Sequence, residues 1–365
     1  MKLRVDRQEL AEAMAIVGAV AAPRTPRPIL HCVLVRARAD HLELEGTDLE
    51  IGLRYLVTRV EMEEEGEVLV AAEKLGAIVR ELGDEVLEIA ADGSLCHVRG
   101  ADSHFQISAQ DTKEFPAIAP EPGEPDFEIS ADVLHRLAER TVLAAAREST
   151  RYAINGVLWE KGAEVLTLVA TDGRRLAHAV GRLVSATEGE LTAIVPSKAM
   201  ALFQRVLSDQ EETVGVQILS NRILLWCPRV TVSTALVEGH FPKYHDVIPA
   251  DSNKTAEFKV GEILGAVRQA ALLTNEEARG VRFSFADEEL CLSSRAPEEG
   301  EARITKPIRY SGEAIDIGFN PSFLIEVLRV VHVDTVTFEM KEPNRPGVLK
   351  IGDDFLYVIM PVNLS

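Results

Sequence analysis

The sequence predicts an α+β protein made of three tandem copies of one domain, each copy with two helices and many short strands. A strand pattern that runs directly into a helix occurs three times, at 5–10, 129–134 and 260–264. A second amphipathic helix recurs at spacings of 124 and 125 residues, and Thr47-Asp48 returns 124 residues later as Thr171-Asp172. A repeat this long is a whole domain, because solenoid units run to about 20–50 residues.

The helices are predicted from their apolar spacing and their caps. Each second helix has apolar residues at i, i+3, i+4 and i+7, the spacing of one buried face. They are Leu75, Ile78, Val79 and Leu82, then Ala199, Leu202, Phe203 and Val206, then Leu324, Val327, Leu328 and Val331. The first helix opens at Asp6-x-x-Glu9, a variant of the capping box. In the third copy Asn320 and Pro321 mark a helix start, a capping side chain followed by proline in the first turn.

The strands are predicted from alternating apolar and polar residues. In the first copy they lie at 42–44, 49–57, 86–89, 96–98 and 105–107. Two helices combined with many short strands make an α+β domain.

Proline-rich segments at 115–125 and 241–249 close the first and second copies, because proline stops strands and stiffens connections. We therefore predict domains over residues 1–120, 126–250 and 255–365. Three domains in line without long flexible linkers predict a rigid arc.

Charge and cysteine usage favour an acidic cytoplasmic protein. The net charge is −19, which argues against a wholly basic nucleic-acid-binding surface but leaves room for a local basic face. The four cysteines form no C-x-x-C pair, so we expect neither a zinc site nor a disulfide framework. The first residues lack the apolar region of a signal peptide, and no apolar run approaches 18 residues.

Enzyme signatures are missing from the sequence. It has no phosphate loop, no dinucleotide-binding glycine turn, no H-E-x-x-H metal helix and no G-x-S-x-G nucleophile elbow. We therefore expect no catalytic residues, no metal and no cofactor.

Two segments stand out instead. The first is 170–177, which follows the predicted strand 165–169 and on the simplest interpretation is a turn. The second is the C-terminal run 357–365, either a final edge strand with a frayed end or an adaptable hydrophobic surface around Met360-Pro361.

The threefold plan, the T-D-G-x-R-L-A element at 171–177 and the terminal Met-Pro segment together resemble the bacterial sliding clamp family, the beta subunit of DNA polymerase III. The resemblance covers the whole chain. It implies that each chain forms half of a closed homodimeric ring, which encircles duplex DNA without sequence specificity. It also implies a non-catalytic processivity factor that tethers the replicative polymerase, through the DNA polymerase III alpha subunit, the clamp loader and other replication and repair proteins.

The resemblance assigns residues to three sites. Partners insert a peptide into a hydrophobic pocket between the second and third domains, formed by Ile154, Thr171, Gly173, Arg174, Arg175, Leu176, Pro242, Val247, Val336, Val358, Met360, Pro361 and Val362. DNA contacts correspond to Arg24, Arg151, Tyr152 and Lys198, each otherwise an ordinary surface residue. The dimer interface corresponds to Phe105 and Ile107 against Leu272 and Leu273, the last two otherwise the end of a core helix.

Some positions depart from the family pattern. Arg174 makes the pocket rim more basic, while Asp246 and Phe338 replace residues that are commonly basic and small. Ala153 stands where an aromatic residue occurs in relatives, and the chain ends Asn363-Leu364-Ser365. These differences bear on peptide preference and leave the predicted fold unchanged.

Domain size is compatible with a ring of two chains. A domain of about 120 residues has a diameter of roughly 35 Å. Six such spheres in a closed circle leave a hole of roughly 35 Å, and three leave only about 5 Å. Duplex DNA is on the order of 20 Å wide. Two chains can therefore surround it and one cannot.

Two other functions stay open at this point. The first is a cytosolic peptide-binding scaffold that never encircles DNA. The second is an enzyme with a cleft between repeats, which would need a cluster of perturbed titratable groups.

Overall fold

The computed structural model describes residues 1–21, 25–118, 121–147, 153–207, 212–274, 280–296 and 299–364. In this part of the chain, 27 strands and six α-helices follow one another in three equal sets. Each set runs strand, helix, five strands, helix and three strands. The predicted α+β class and threefold repeat are confirmed.

The first copy carries eleven elements. They are β1 Lys2–Asp6, α1 Arg7–Val20, β2 Cys32–Ala37, β3 Leu42–Thr47, β4 Ile51–Val57, β5 Val60–Glu64, β6 Gly66–Ala71, α2 Ala72–Glu81, β7 Val86–Asp92, β8 Leu95–Arg99 and β9 His104–Gln110. Helix α1 begins where predicted, and Asp6 Oδ1 accepts from the Glu9 N–H at 2.8 Å. The strand predicted from Leu49 begins only at Ile51, because Leu49 lies in a turn with φ of 80°.

The second copy repeats the order of the first. Its elements are β10 Phe127–Ser130, α3 Ala131–Val142, β11 Gly156–Lys161, β12 Val165–Thr171, β13 Arg175–Arg182, β14 Ser185–Ala186, β15 Leu191–Pro196, α4 Ser197–Val206, β16 Thr213–Ile218, β17 Arg222–Cys227 and β18 Val230–Ala235.

The third copy completes the series. Its elements are β19 Lys254–Lys259, α5 Val260–Ala271, β20 Val281–Ala286, β21 Glu289–Ala296, β22 Gly300–Pro307, β23 Arg309–Ser311, β24 Ile315–Phe319, α6 Pro321–Val330, β25 Thr335–Met340, β26 Gly347–Ile351 and β27 Phe355–Ile359. The predicted cap of α6 is present, since Asn320 Oδ1 accepts from the Ser322 N–H at 3.0 Å.

The same set of strand pairs recurs in all three copies, and the first copy adds a two-residue pairing of β6 with β9. In each, the first strand pairs with the fifth and seventh, the second with the third and sixth, and the third with the fourth; the last three strands follow one another. All of these pairs are antiparallel. The repeat therefore extends from element order to hydrogen-bond pattern.

Two further ladders join consecutive copies. Strand β4 of the first copy pairs with β18 of the second, from Ile51–Thr234 to Tyr55–Val230. Strand β13 of the second pairs with β27 of the third, from Arg175–Ile359 to Ala179–Phe355. The expectation that the last strand is an edge strand is wrong, because β27 lies between β13 and β26.

The chain divides into two compact units. One contains residues 1–132, 183–188 and 202–236, and the other contains 133–182, 189–201 and 237–365. The β4–β18 ladder lies within the first unit and the β13–β27 ladder within the second. The second copy thus contributes strands to both units, and the predicted domain boundaries stay a prediction.

Glu9 shows how a buried charge is accommodated in the first copy. Its side chain is 2% exposed and does not return to Asp6, as a capping box requires. Its carboxylate accepts from the backbone N–H groups of Thr58 at 3.1 Å and Arg59 at 2.8 Å, and from Thr58 Oγ1 at 3.2 Å. Burial opposes ionisation, but these donors outweigh it and lower the pKa of Glu9.

Replacing Glu9 with glutamine is expected to lower the free energy of unfolding by about 2 kcal/mol at neutral pH, because a buried amide nitrogen then faces N–H donors. The folded pKa lies below the ordinary value of 4.5, so the carboxylate stabilises the fold above that pH. Its contribution is lost as pH falls through the folded pKa, and the difference between wild type and variant should shrink there. Urea unfolding of both proteins, from neutral pH to below pH 4.5, measures this difference in the free energy of unfolding. The exposed Glu12→Gln is the control.

Candidate functional site

The segment 171–175 is a tight turn between β12 and β13. Thr171 Oγ1 accepts from the Gly173 N–H at 3.1 Å and donates to the Arg175 carbonyl at 2.7 Å. Asp172 Oδ1 accepts from the N–H groups of Arg174 at 2.9 Å and Arg175 at 3.1 Å. The interpretation of this segment as a turn is confirmed for its backbone.

The first copy makes the same turn. Thr47 Oγ1 donates to the Ile51 carbonyl at 2.8 Å and accepts from the Leu49 N–H at 3.0 Å. Leu49 has φ of 80° and the corresponding Gly173 has φ of 85°. A Cβ on Gly173 would meet no atom of this chain within 4 Å, so within the chain glycine is favoured here by its positive φ and not by a close neighbour.

An apolar cluster lies beside this turn, within the second compact unit. Leu176 and Val358 lie directly opposite each other across the β13–β27 ladder. The other buried members are Ala153, Leu158, Val169, Ile194, Tyr244 and Val348, and the half-buried neighbours are Val237, Phe241, Ile248 and Leu356. Because the cluster passes from buried to half-buried side chains, it forms a floor that continues to the surface.

The rim is formed by the C-terminal segment and by Val247. Val247 is 48% exposed and Met360 is 40% exposed. Met360 lines two adjacent depressions of about 480 and 610 Å³. Pro242, Pro361 and Val362 are half-buried, while Ile154 and Thr171 are buried. Of the predicted pocket residues, the structure places Ile154 next to floor residue Ala153 in the chain, brings Leu176 and Val358 into the floor, and lines the depressions with Val247, Met360, Pro361 and Val362.

Arg175 lies on the other face of the same sheet. Its side chain is buried, its Nε donates to Asp172 Oδ2 at 3.0 Å, and its guanidinium covers the Phe323 ring at 4.3 Å. Its Nη1 donates to the Glu326 carboxylate and, at 3.5 Å, to the Tyr357 hydroxyl. Burial opposes the charge, but Tyr357 and Glu326 outweigh it and raise the pKa of Arg175. Arg175 therefore fastens the turn to α6.

Val336 and Phe338 also lie on the helix-facing side of the sheet. Phe338 is paired with Leu349, whereas Val348 and Val358, on the opposite face, pair with each other. The Phe338 ring packs in an aromatic cluster with Phe258, Phe285 and Phe319 at centroid distances of 5.6–6.2 Å. Val336 shares the alternation of Phe338 in β25 and is 1% exposed, so neither residue forms part of the rim.

A group of polar atoms accompanies the apolar floor on the same face of the sheet. The Tyr244 hydroxyl donates to Glu160 Oε2 at 2.6 Å, and His245 stacks on the Tyr244 ring at 4.0 Å. Burial, together with the Glu160 carboxylate, raises the pKa of Tyr244. Burial lowers the pKa of His178, whose ring lies 6.0 Å from that of Tyr244. The site therefore presents apolar side chains next to a neutral phenol and a neutral imidazole, which suits binding of an apolar peptide segment.

Three family models match the chain in succession. They describe the N-terminal, central and C-terminal domains of the DNA polymerase III beta subunit, and they match residues 1–119, 128–243 and 245–363. The chain belongs to the DNA polymerase III beta subunit family. The match covers all three copies of the repeat.

Relatives agree over the full length of the chain. The beta sliding clamps of Pseudomonas aeruginosa and Chlamydia pneumoniae are 32% and 31% identical, with 100% of this chain and 100% and 99% of theirs covered. The crystal structure of the DNA polymerase III subunit beta from Pseudomonas aeruginosa is 32% identical to this chain and superposes on it with a TM-score of 0.92. The crystal structure of the Bacillus subtilis sliding clamp is 25% identical and superposes with a TM-score of 0.93. Both matches cover 100% of this chain and 100% of the other. This chain is a sliding clamp of the same family.

Of the four residues predicted to contact DNA, the structure describes one. Arg24, Arg151 and Tyr152 lie outside the described residues. Lys198 is the second residue of α4 and is exposed. The assignment of these four residues stays a prediction.

The residues predicted at the dimer interface lie on exposed parts of the first and third copies. Phe105 is 39% exposed on β9, where Ile107 is largely buried. Leu272 follows the end of α5 and is 77% exposed, so it is not part of a helix core. Leu273 is half-buried beside Gly300 at the start of β22.

Several floor residues were missed by sequence reasoning. Tyr244 and Phe241 lie in the segment that the sequence marked only as a proline-rich boundary, and Val348 follows a turn with no motif. Val348 and Leu349 are adjacent in β26, both apolar and both buried, so they pack on opposite faces of the sheet. The sequence does not show which face meets β13.

Replacing Arg175 with methionine is expected to lower the free energy of unfolding by about 3 kcal/mol, because Asp172 and Glu326 lose a partly buried cation. Arg174→Met removes a neighbouring charge on an exposed side chain. It should change the free energy of unfolding by less than about 0.5 kcal/mol. Urea unfolding of both variants measures the difference. Equal effects would show that Arg175 does not fasten the turn to α6.

Proposed function

We propose that this chain acts as a homodimeric ring around duplex DNA and tethers the DNA polymerase III alpha subunit, the clamp loader and other replication and repair proteins. The observation that carries this proposal is the rule by which consecutive copies join. At both internal junctions, the fourth strand of one copy pairs with the ninth strand of the next over five residue pairs.

The same rule leaves one strand at each end of the series available. Strand β22 is the fourth strand of the third copy, and its only neighbour among the described strands is β21. Strand β9 is the ninth strand of the first copy and pairs with β8, and with β6 only at Ala109 and Gln110. Applied once more, the rule pairs β22 of one chain with β9 of a second. Two such junctions related by a twofold axis close six domains into a ring.

Strand register supports the same junction. Leu95 pairs with Ser108 in the first copy as Arg222 pairs with Ala235 in the second. On that correspondence Phe105 and Ile107 occupy the positions of Val232 and Thr234, which pair with β4. Leu272 and Leu273 lie beside β22, where they would cover apolar side chains of the partner's β9. Pairing would also remove two exposed strand edges.

Partner proteins would bind at the floor of Leu176 and Val358, between the turn at 171–175 and the C-terminal segment. The half-buried and exposed apolar side chains suit an extended apolar peptide, and exposed Arg174 and Asp246 set the charge of the rim. We assign recognition to Ile154, Thr171, Gly173, Leu176, Pro242, Val247, Val358, Met360, Pro361 and Val362. Arg175 supports the turn from behind.

DNA would be held by enclosure rather than by strong contacts. With a net charge of −19, the chain suits a ring whose outer surface repels phosphates. Weak contacts to phosphate from Arg24, Arg151, Tyr152 and Lys198 would be independent of sequence and permit sliding. The polymerase then meets the primer end at a high effective concentration, without catalysis by the ring itself.

Nothing in the described residues favours an enzyme. They contain no group of three or more His, Cys, Asp or Glu side chains placed to hold a metal ion. No helix in the described part of the chain is long and apolar enough to cross a membrane. Membership of the sliding clamp family supports our proposal of a non-catalytic protein that acts in the cytoplasm, where bacterial DNA is replicated.

The test of encirclement is retention on DNA after loading by the clamp loader. The chain is expected to stay on closed circular duplex DNA and to leave promptly when the circle is linearised by a restriction enzyme. Gel filtration of the labelled protein with each DNA form measures this. Equal retention on both forms would favour the peptide-binding scaffold and contradict the ring.

Replacing Leu272 and Leu273 together with alanine is expected to yield monomers, because the apolar cover of the junction is lost. Multi-angle light scattering of wild type and variant measures the mass. Val184→Ala removes another apolar side chain that is 61% exposed, and should leave the dimer intact. A double variant that remains dimeric would contradict the proposed junction.

A further inference from the structure

The C-terminal segment Met360–Leu364 is attached to the third copy and the neighbouring turn although it belongs to no strand. The Met360 N–H donates to the Arg174 carbonyl at 2.9 Å. Two residues later, the Val362 N–H donates to the Gly318 carbonyl at 2.8 Å. The backbone on both sides of the Met360 side chain is therefore held.

Two glycines provide the space for a third attachment, the Leu364 side chain. A Cβ on Gly318 would lie 2.5 Å from Leu364 Cγ and 2.6 Å from the Val362 carbonyl oxygen. A Cβ on Gly280 would lie 2.5 Å from Leu364 Cδ2. Gly318 is paired with Arg282, two residues after Gly280, so both glycines lie on one face of the β20–β24 pair. We call Gly280 and Gly318 the glycine cradle.

The glycine cradle bears on partner binding because it seats the segment that carries Met360. Its side chain is 40% exposed and lines both depressions, the one that reaches floor residue Val348 and the one that contains Gly318 and Leu364. Strand β27 ends at Ile359, so from Met360 onward the backbone lies outside the ladder and is held by the attachments described above. A segment already ordered before the partner arrives does not lose that conformational freedom on binding.

We propose that Gly280 and Gly318 are positioning residues for partner binding, which hold Met360 as the wall of the pocket by seating Leu364. The inference rests on the proposed partner-binding function and deepens it. The ligand class is an apolar peptide segment of a protein partner. The two glycines themselves touch the C-terminal segment rather than the peptide.

The experiment compares Gly318→Ala, Gly280→Ala and Leu364→Ala in the full-length protein. Two quantities are measured: affinity for the purified DNA polymerase III alpha subunit, and the rate at which carboxypeptidase Y releases C-terminal residues. Gly265→Ala is the matched control, because a Cβ there, in α5 of the same copy, would meet no atom within 4 Å. Light scattering and thermal unfolding check that each variant keeps its mass and fold.

Gly318→Ala and Leu364→Ala are expected to speed release and to weaken binding about tenfold, since a less populated docked segment lowers apparent affinity in proportion. Gly280→Ala should have a smaller effect, because its added methyl meets only flexible side-chain ends. If Gly318 acts through Leu364, Gly318→Ala should reduce affinity for the alpha subunit less in the Leu364→Ala background than in wild type. The Gly265→Ala control should match wild type in both measurements.

Two results would overturn the positioning role. One is unchanged affinity in variants whose C-terminal residues are released faster, and the other is unchanged release in both Gly318→Ala and Leu364→Ala. In either case the wild type would still bind the alpha subunit and the proposed pocket would stand. A wild type that does not bind the alpha subunit would overturn the proposed pocket and the positioning role together.

Discussion

An unpaired strand edge is the constraint on which this structure depends. Each copy builds the same core ladder and leaves its fourth strand and most of the outer edge of its ninth strand to be paired outside the copy, since β9 meets β6 at only two residue pairs. Backbone N–H and C=O groups along such an edge bind another strand readily, and exposed edges invite aggregation. Within the chain, β18 and β27 cover β4 and β13. Joining copies in series is thus a consequence of the ladder, and a chain of three copies still has β9 and β22 to satisfy.

The two internal junctions share their backbone geometry and differ in side chains. The Leu176–Val358 pair at the second junction corresponds to Gly52–Ser233 at the first. At the first junction the Ala235 N–H donates to the Glu50 carbonyl at 3.0 Å, as Met360 does to Arg174. There Arg222 Nε donates to Ser233 Oγ at 2.9 Å, so a guanidinium lies where the second junction has an apolar floor. The repeat supplies a possible pocket twice, and side-chain divergence makes only the second one apolar.

Local signals in the sequence predicted where most helices and strands lie. They did not predict which side of the sheet each side chain occupies. Asp6 and Asn320 cap helices where expected, because a capping side chain acts within its own turn. Leu49 was placed in a strand because its apolar side chain continues the alternation, although the Thr47-Asp48 turn holds it at positive φ. Alternation separates the two faces of a strand without saying which face meets which neighbour. For that reason Arg175 and Val336, assigned to the pocket, lie on the helix-facing side, and the contribution of Tyr244 was not foreseen.

Buried Arg175 stabilises the turn at 171–175 from the face of the sheet opposite the floor. On the proposed function, a turn beside a partner-binding floor cannot draw its stability from the partner, because the site must also exist when empty. Its stability comes instead from the opposite face, where Arg175 reaches Glu326 and covers Phe323 on α6. Alternation along β13 places these two tasks on adjacent residues, 175 and 176. A charged residue next to an apolar floor is thus compatible with apolar recognition, since the sheet itself separates them. The basic pair Arg174-Arg175 accordingly contributes one charge to the rim and one to the support of the site.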